Sequence, residues 1–394
     1  MLQHIQNLIK SKSNDILETI IGYRRHIHQY PELSFREFET SKFITEILYN
    51  NGIEIDNSFG ENAVIGIITG KNPGETIALR ADIDALPITE TNDKKYISKN
   101  IGVMHACGHD AHAASLIGTS IILQNLTEYI NGKIILIFQP AEERNPGGAK
   151  ILIEKGILKK YSIKKIIAQH VTPEVKTGNF CFGSGDLMAS TDEIYVKFSG
   201  LGGHAALPKK RSDSVLSLIE FINKSNKLQK KLDQKTPTII AFGKVIAEGS
   251  VNVIPSDSNA DGTMRTFDEN NRTFIKNKLL IIAEKVAKKY KCSFNLEIRE
   301  GYPSLHNDEE LSKNVLDIAK EYLPTQNIET FVPRMTAEDF AFFSRKIQAV
   351  LYRTGIEGNG VGNIGLHSSN FDIDENVFSY SVGLMAYIAL RINK

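Results

Sequence analysis

The sequence predicts a two-domain α/β fold, in which an α/β domain with a central, mostly parallel sheet carries an inserted ferredoxin-like α+β domain. Three observations predict this fold class. The chain has 394 residues, whereas one domain usually takes roughly 100–200 residues. Its first half alternates short apolar strands with helices, which is typical of parallel sheets. Its middle follows the order β-α-β-β-α-β.

Four short apolar segments predict the strands of the central sheet, because each has the length of a buried strand. They cover residues 76–81, 133–138, 163–168 and 349–353. A helix is predicted through the segment HAASLIGTSIILQNL, where apolar residues share one face. Asp110 lies two residues before the start of this segment and suits the N-cap position.

The middle of the chain has its own pattern of strands and helices. Strands are predicted at 192–199, 238–247, 259–266 and 292–299, and helices at 212–227 and 272–290. Because this is the ferredoxin-like order, we predict that the middle folds as a separate domain. The predicted boundaries are residues 1–186 and 302–394 for the discontinuous first domain and residues 187–301 for the inserted domain.

The composition excludes several classes of partner. The 47 Lys and Arg residues balance 46 Asp and Glu residues, for a net charge of +1. Bulk charge therefore gives no reason to expect nucleic acid or a membrane as partner.

The N-terminus lacks the apolar core of a signal peptide, and no segment approaches the roughly 20 apolar residues that span a bilayer. Cys107, Cys181 and Cys292 are far apart, which argues against a disulfide framework and predicts a cytoplasmic protein.

Residues of the types that can bind metals follow the predicted strands. One pair, Cys107 and His109, lies instead in a turn that leads into a helix. In chain order, the residues are Asp82, Asp84, Cys107, His109, Glu142, Glu143, His170 and His367. In open α/β sheets, ligands bind beyond the carboxyl ends of the parallel strands. We therefore expect these groups to converge on one crevice.

The mixture of thiol, imidazole and carboxylate groups suits zinc or a similar transition metal, whereas Mg²⁺ and Ca²⁺ prefer oxygen ligands. The five candidate ligands are Cys107, His109, Glu143, His170 and His367. One tetrahedral zinc ion uses fewer ligands, so the sequence predicts two metal ions that share a bridge. Glu142 is the candidate that takes a proton from water, because neighbouring side chains of an extended chain point in different directions.

Each of these residues also has a structural interpretation. A cysteine such as Cys107 is more often a small buried hydrophobic residue than a ligand. Adjacent glutamates are usually solvated, and aspartates after a strand are usually caps. His26, His28 and His112 are interpreted as structural or surface residues. The coincidence of ligand chemistry at several independent strand ends is what favours a metal site.

A nucleotide-binding enzyme is the competing class. Residues 200–205 match the loose pattern G-x-G-x-x-A, which binds dinucleotides when it opens a helix after a strand. Here Pro208 follows at once and three basic residues come next. No helix therefore begins at the glycines to hold a pyrophosphate, and the metal site is the stronger hypothesis.

A series of motifs occurs in the order found in the aminoacylase/carboxypeptidase metallopeptidases, and it extends from Arg24 to Phe371. The motifs are RRHIHQYPELSFRE, LRADIDALPI, MHACGHDAH, FQPAEE, GGHAALP, NVIPSD, GTMRTFD, MTAEDFAFF and GLHSSNF. The chain resembles the amidohydrolase branch of this family. That branch includes hippurate hydrolase, auxin-conjugate hydrolases, N-acetyldiaminopimelate deacetylase and a thermostable carboxypeptidase.

The resemblance implies two divalent metal ions, such as zinc, manganese, cobalt or nickel. The implied ligands are Cys107, His109, Glu143, His170 and His367. Glu142 is implied as general base and later proton donor, and Asp84 as the residue that orients a ligand. His204 matches an oxyanion-stabilising histidine of the inserted domain, and Asn252 and Arg265 match positions near the substrate.

The resemblance further implies an amidohydrolase that cleaves N-acyl amino acids or short peptides with metal-activated water. The inserted domain would act as a lid, and an exposed edge of its sheet could pair two chains in a homodimer. A metallo-carboxypeptidase or dipeptidase is the alternative. A catalytically silent binding protein on the same fold is a less favoured alternative, because it would lack a ligand or Glu142 and all of these residues are present. Asp82 stands where other branches have a ligand histidine, so it is not assigned to the metal. Arg144 and Lys209 replace a glycine and a histidine that many branch members carry, so no particular substrate is carried over.

Overall fold

The computed structural model describes residues 2–233 and 236–392. Its helices are α1 Leu2–Asp15, α2 Leu17–Gln29, α3 Phe38–Asn50, α4 His109–Gln124, α5 Gly148–Glu154, α6 Ile157–Tyr161, α7 Ser214–Asp233, α8 Glu269–Tyr290, α9 Glu309–Tyr322, α10 Ala341–Ser344 and α11 Phe378–Ile392. Its strands are β1 Glu54–Asp56, β2 Val64–Thr69, β3 Asn72–Asp82, β4 Asn131–Gln139, β5 Ile163–Lys176, β6 Phe180–Phe182, β7 Gly185–Met188, β8 Ser190–Ser199, β9 Gly203–His204, β10 Thr238–Ile246, β11 Val253–Ile254, β12 Asp257–Thr266, β13 Ser293–Glu300, β14 Leu305–Asn307, β15 Ile328–Thr330 and β16 Gln348–Glu357.

These elements fall into two units, and each unit has its own apolar core. Unit 1 runs to Gly185 and includes His306–Val332 and the chain from Phe342 onward. Unit 2 consists of Asp186–Leu305 and Pro333–Ala341. Within the described residues, no helix combines the length and the hydropathy that a membrane span requires.

One mixed sheet in the order β1-β2-β4-β3-β5-β16-β6-β15 forms the centre of unit 1. Its four central strands, β4, β3, β5 and β16, run parallel. They correspond to the four predicted strands, which are confirmed and are all longer than predicted. Antiparallel pairs flank them, between β1 and β2, β2 and β4, and β16 and β6. Because β5 runs on to Lys176, His170 lies within this strand and does not follow it as predicted.

Helix α4 packs against β3 and between α2 and α11. It is buried on almost every side, because small residues such as alanine, glycine and serine let its neighbours approach closely. A Cβ atom on Gly118 would come within 3.0 Å of Val382 and 3.1 Å of Ile20. This packing fixes the start of α4, where His109 is the first helical residue.

Unit 2 contains an antiparallel sheet in the order β10-β12-β8-β13, with α7 and α8 packed on it. The chain order β8-α7-β10-β12-α8-β13 is the ferredoxin-like order. Residues of β8 alternate between buried and less buried positions, and Ile194, Val196 and Phe198 form part of the core. The predicted ferredoxin-like fold is therefore confirmed, with strand and helix ends that shift by a few residues.

Candidate functional site

The five candidate ligands of unit 1 lie together close to the ends of the central strands. Their ligand atoms form two groups, and within each group the atoms lie within 4.8 Å of one another. One group consists of Cys107, His109 and His170. The other consists of Cys107, Glu143 and His367, so the two groups share the thiol. The structure thus brings the predicted residues into one cluster.

A sharp turn at Gly108 sets the directions of Cys107 and His109. Gly108 has a φ of +82°, and a Cβ atom there would lie 2.5 Å from Val171 Cγ2. Only glycine adopts this conformation at little cost and leaves this space free. Gly108 is also the N-cap of α4, so the prediction of Asp110 as N-cap was wrong. Asp110 lies in the first helical turn, where its carboxylate is used for a tertiary contact instead.

The hydrogen bonds of two histidines leave one ring nitrogen of each for a metal ion. His109 Nδ1 lies 2.9 Å from Asp84 O, and His170 Nδ1 lies 2.8 Å from Val171 O. Because a carbonyl oxygen only accepts, His109 Nδ1 donates in its contact, and a neutral His109 ring then has Nε2 as its acceptor. His170 Nδ1 faces both Val171 O and, at 3.1 Å, Arg353 Nη1. His170 Nε2 lies 3.7 Å from Cys107 Sγ. His109 Nε2 is buried and has no hydrogen-bond partner among the described residues, as a ligand nitrogen awaiting a cation would.

Asp84 contacts both His109 and the segment that contains Glu142 and Glu143. Its carboxylate accepts hydrogen bonds from the backbone N–H groups of Glu142 and Glu143, at 3.0 Å each, and from Ser34 Oγ at 2.6 Å. Its Oδ1 also lies 3.2 Å from His109 Nδ1. Burial alone would raise the pKa of Asp84, but the hydrogen bond from His109 and the other donors lower it. Asp84 is therefore an ionised group that orients both the glutamates and the histidine.

Glu37 is a buried residue of the site that the sequence did not single out. Its Oε1 accepts a hydrogen bond from Ala141 N at 2.8 Å, and its Oε2 accepts one from Asn62 Nδ2 at 3.0 Å. Ala141 has a φ of +55°, a strained conformation for a residue with a Cβ atom. Burial and the nearby Asp84 charge raise the pKa of Glu37 to about 7. The only sequence indication of this role is its place at the end of the motif RRHIHQYPELSFRE.

The second group of ligands is the more open one. His367 Nε2 lies 3.1 Å from Glu143 Oε1, and the His367 side chain is 52% exposed. Hydrogen bonds to Cys107 and Glu143 raise the pKa of His367 to about 10. Burial raises the pKa of the Cys107 thiol. A buried thiol becomes a thiolate when a cation lies beside it, so this cluster suits a positively charged ligand.

His112 and Asp82 lie next to the cluster but are already paired. Val171 N donates to His112 Nε2 at 2.9 Å, so the ring proton is on Nδ1, which lies 2.5 Å from Asp82 Oδ1. Arg80 Nη1 donates to the other oxygen of Asp82 at 2.6 Å. Both nitrogens of His112 are thus engaged, which supports its structural interpretation. Asp82 Oδ1 lies 3.8 Å from His109 Nε2 and holds a charge near the site.

The two histidines of α2 also have structural surroundings. His26 is exposed and stacks on Phe43, with ring centroids 4.0 Å apart. His28 is buried, with Nδ1 2.8 Å from Asp110 Oδ2 and Nε2 3.1 Å from Glu90 Oε1. Neither ring has a contact with a candidate ligand in these interactions.

His204 and Asn252 are neighbours in unit 2. Strand β9, which contains His204, pairs with β11, which follows Asn252. Ala205 N donates to Asn252 O at 2.9 Å, and Ala206 N donates to His204 Nδ1 at 3.1 Å. The His204 side chain is exposed. This short ladder therefore presents an imidazole on the surface of unit 2 with its Nδ1 atom already used.

Arg265 lies on β12, where Nη1 donates to Met335 O at 3.0 Å. Burial lowers the pKa of its guanidinium group. The two residues that depart from the branch pattern are both exposed. Lys209 lies in a short helical turn after Pro208, and Arg144 follows the paired glutamates.

Comparisons with known proteins find similar sequences over most of the chain. The sequence model of peptidase family M20/M25/M40 matches residues 78–391. The chain is 35% identical to thermostable carboxypeptidase 1 of Saccharolobus solfataricus, over 98% of each protein. It is 37% identical to N-acetyl-L-cysteine deacetylase of Bacillus subtilis, over 93% of this chain and 88% of the deacetylase.

A solved structure extends the similarity to three dimensions. It is a Bacillus subtilis protein described as a dinuclear metal binding peptidase from the M20 family. The two share 30% sequence identity and superpose with a TM-score of 0.84, over 96% of this chain and 99% of that one. The similarity therefore includes both units of the fold.

Proposed function

Because the chain belongs to peptidase family M20/M25/M40, we propose that it is a two-metal amidohydrolase. It would cleave the amide bond of N-acyl amino acids or short peptides. The observation that carries the proposal is the pair of ligand groups that share Cys107. Each group offers three donors, which is the number that catalytic zinc sites take from a protein. The dinuclear site of the similar Bacillus subtilis peptidase supports the same number of ions.

The donor sets suggest which residues hold each ion. His109 and His170 would hold one ion, and Glu143 and His367 the other, with Cys107 between them. Thiolate and imidazole ligands favour zinc, cobalt or nickel, and manganese also accepts the carboxylate and imidazole groups. The fixed Nδ1 contacts of His109 and His170 support this division, because they hold the Nε2 atoms towards the cluster.

Glu142 is the proposed general base. When bound, the ions supply Lewis acidity, which polarises the amide carbonyl and makes water easier to deprotonate. The Glu142 carboxylate then takes the proton of the attacking water and passes it to the leaving amine. It lies within 4.8 Å of the donor atoms of His109 and Glu143, and its residue is only 6% exposed. Asp84 holds its backbone, so the side chain starts from a fixed position.

Three residues of unit 2 are the proposed substrate contacts. Because His204 Nδ1 accepts a hydrogen bond, the neutral ring carries its proton on Nε2. That N–H group can donate to the oxyanion that forms when water adds to the carbonyl. Arg265 is a cation suited to a substrate carboxylate, and Asn252 offers an amide next to His204.

The names of two relatives support the substrate class. One similar protein is a thermostable carboxypeptidase and another is an N-acetyl-L-cysteine deacetylase. Both names describe cleavage of an amide bond to an amino acid. We therefore propose N-acyl amino acids as the first class to test, with short peptides as the alternative.

We also propose a cytoplasmic enzyme that forms a homodimer through unit 2. The cytoplasm is the compartment that suits three widely spaced cysteines. Strands β10 and β13 are the outer strands of the sheet of unit 2. An outer strand offers backbone groups with which a second copy of the chain can pair.

The test compares Glu142→Gln with Glu143→Gln. Both variants remove one carboxylate and keep nearly the same shape, so each serves as the matched control of the other. Metal content is measured beside turnover of a panel of N-acetyl amino acids, N-benzoyl amino acids and dipeptides. Glu142→Gln should keep both ions and lose roughly 10²–10⁴-fold in kcat, the usual scale of general acid–base catalysis.

Glu143→Gln should instead weaken metal binding, and excess metal should partly restore its activity. If Glu142→Gln loses metal and Glu143→Gln retains it, the two roles are reversed. Hydrolysis that survives both substitutions, or wild-type protein that binds no divalent ion, would refute the proposed function.

A further inference from the structure

Arg24 is a fully buried arginine of α2 whose guanidinium group joins three carboxylates of unit 1. Its side chain is 0% exposed. Nε donates to Asp110 Oδ2 at 2.7 Å, and Nη2 donates to Asp372 Oδ1 at 3.0 Å. Nη1 donates to Glu375 Oε1 at 3.3 Å. Each of the three nitrogens that share the charge therefore binds a different acid.

These acids lie on the two chain segments that carry the proposed ligands. Asp110 directly follows His109 in the first turn of α4. Asp372 and Glu375 come shortly after His367, before α11 begins. Arg24 lies on α2 and belongs to neither segment, but its side chain binds acids of both.

A backbone hydrogen bond joins the same two segments beside the ligands. His367 N donates to Ala106 O at 2.7 Å, and Cys107 follows Ala106 directly. One such bond fixes a distance but leaves the segments able to rotate about it. Arg24 adds a second point of attachment, and two points of attachment fix the orientation of the segments as well.

Two further polar side chains contact the acids that bind Arg24. His28 Nδ1 lies 2.8 Å from Asp110 Oδ2, and Tyr96 OH donates to Asp372 Oδ2 at 3.0 Å. Burial alone would raise the pKa of Asp110, but the Arg24 and His28 charges lower it. Removing such charges from water is costly, and apolar replacements of buried ion pairs are often as stable. Stability alone is therefore a weak reason for this network, and a fixed geometry is a better one.

We propose that Arg24 is a positioning residue of the metal centre, which holds the segments of His109 and His367 at the spacing that two ions require. The inference rests on the proposed function, because it assigns these histidines to the two ions. Arg24 itself touches neither ion nor substrate. Its effect passes through Asp110 on one side and through Asp372 and Glu375 on the other.

The experiment titrates metal-free protein with Co²⁺, which reports on affinity and, through the thiolate-to-cobalt absorption band, on the geometry around Cys107. The variants are Arg24→Lys and the control Arg25→Gln. Lysine keeps the charge, but its compact ammonium group cannot reproduce the planar fork that binds three acids. Arg25 also pairs with Glu375, yet its side chain is 48% exposed. Urea unfolding of the metal-free variants measures stability separately.

Arg24→Lys should bind Co²⁺ about 10–100-fold more weakly, the scale on which residues that orient ligands act, and should shift the absorption band. Arg25→Gln should keep the wild-type affinity and band. If Arg24→Lys does not fold, Asp372→Asn takes its place, with the same weaker binding expected. If the folded Arg24 variant is less stable but keeps the wild-type Co²⁺ affinity and absorption band, the positioning role of Arg24 is wrong, whereas the proposed function is unaffected. Wild-type protein that binds no Co²⁺ would overturn the proposed function and this inference with it.

Discussion

Replacing Asp84 with asparagine tests whether one carboxylate organises the site. Asp84 is buried and accepts hydrogen bonds from Ser34 Oγ, Glu142 N and Glu143 N, and lies within 3.2 Å of His109 Nδ1. Asparagine keeps the shape and one oxygen, but its NH₂ group faces donors at the position of the other oxygen. Two of the four contacts therefore lose their acceptor, whichever way the amide is turned.

The expected loss of stability follows from these contacts. A hydrogen bond to a charged group contributes about 1.5–3 kcal/mol, so two of them contribute about 3–6 kcal/mol. The Ser34 hydroxyl can rotate and accept from the new amide, which favours the lower end of that range. A loss of about 3 kcal/mol is large beside the roughly 5–15 kcal/mol by which a domain is stable.

Urea unfolding of the metal-free protein measures this loss, and Ser34→Ala is the control. Ser34→Ala removes one of the hydrogen bonds to the same charged carboxylate, so it should cost roughly 1.5 kcal/mol, about half of the loss expected for Asp84→Asn. In the same samples, Asp84→Asn should weaken metal binding, because Glu143 N loses its acceptor and His109 faces a neutral amide oxygen in place of a carboxylate. If Asp84→Asn costs no more than Ser34→Ala and binds metal normally, Asp84 does not organise the site.

Two further predictions concern single side chains. Cys107→Ser should sharply lower the metal affinity. Cys181 is a buried cysteine outside the cluster, so the control Cys181→Ser should leave the affinity unchanged. Equal Co²⁺ affinities of the two variants would contradict a thiolate shared by both ions. The second prediction concerns Glu37, whose pKa in the folded protein is about 7, above the ordinary value of 4.5. The folded state therefore binds the proton more tightly than the unfolded state does. The protein should lose stability as the pH rises from 4.5 to above 7. Between pH 4.5 and pH 8, the free energy of unfolding in urea should fall by about 3 kcal/mol more for the wild type than for Glu37→Gln. If the difference in stability between the two proteins is the same at both pH values, this prediction is wrong.

The family, the enzyme class and the fold class followed from the sequence and are confirmed. The central strands were predictable because strands buried on both faces are runs of apolar residues, and β4 is an example with KIILIF. The convergence of the candidate ligands was predictable because parallel strands end at the same edge of a sheet.

Other features depend on contacts that are distant in the chain. The role of Glu37 arises from hydrogen bonds to Asn62 and Ala141, and nothing in the pattern around Glu37 indicates these partners. Asp110 resembles a cap, but its carboxylate binds Arg24, and Gly108 takes the cap position. The segment 333–341 joins unit 2 although it is separated from the rest of that unit in sequence. Periodicity describes an element and its faces, but it does not specify such tertiary pairings.

The geometry of the cluster also depends on two strained backbone positions. Ala141, before the paired glutamates, and His367 have φ values of +55° and +64°. A residue with a Cβ atom in this region costs about 1–3 kcal/mol and persists only where its surroundings enforce it. Here each has a short backbone hydrogen bond, from Ala141 N to Glu37 at 2.8 Å and from His367 N to Ala106 O at 2.7 Å. Contacts with the buried Glu37 side chain and with the turn before Cys107 thus offset the backbone strain that sets the direction of the ligand side chains.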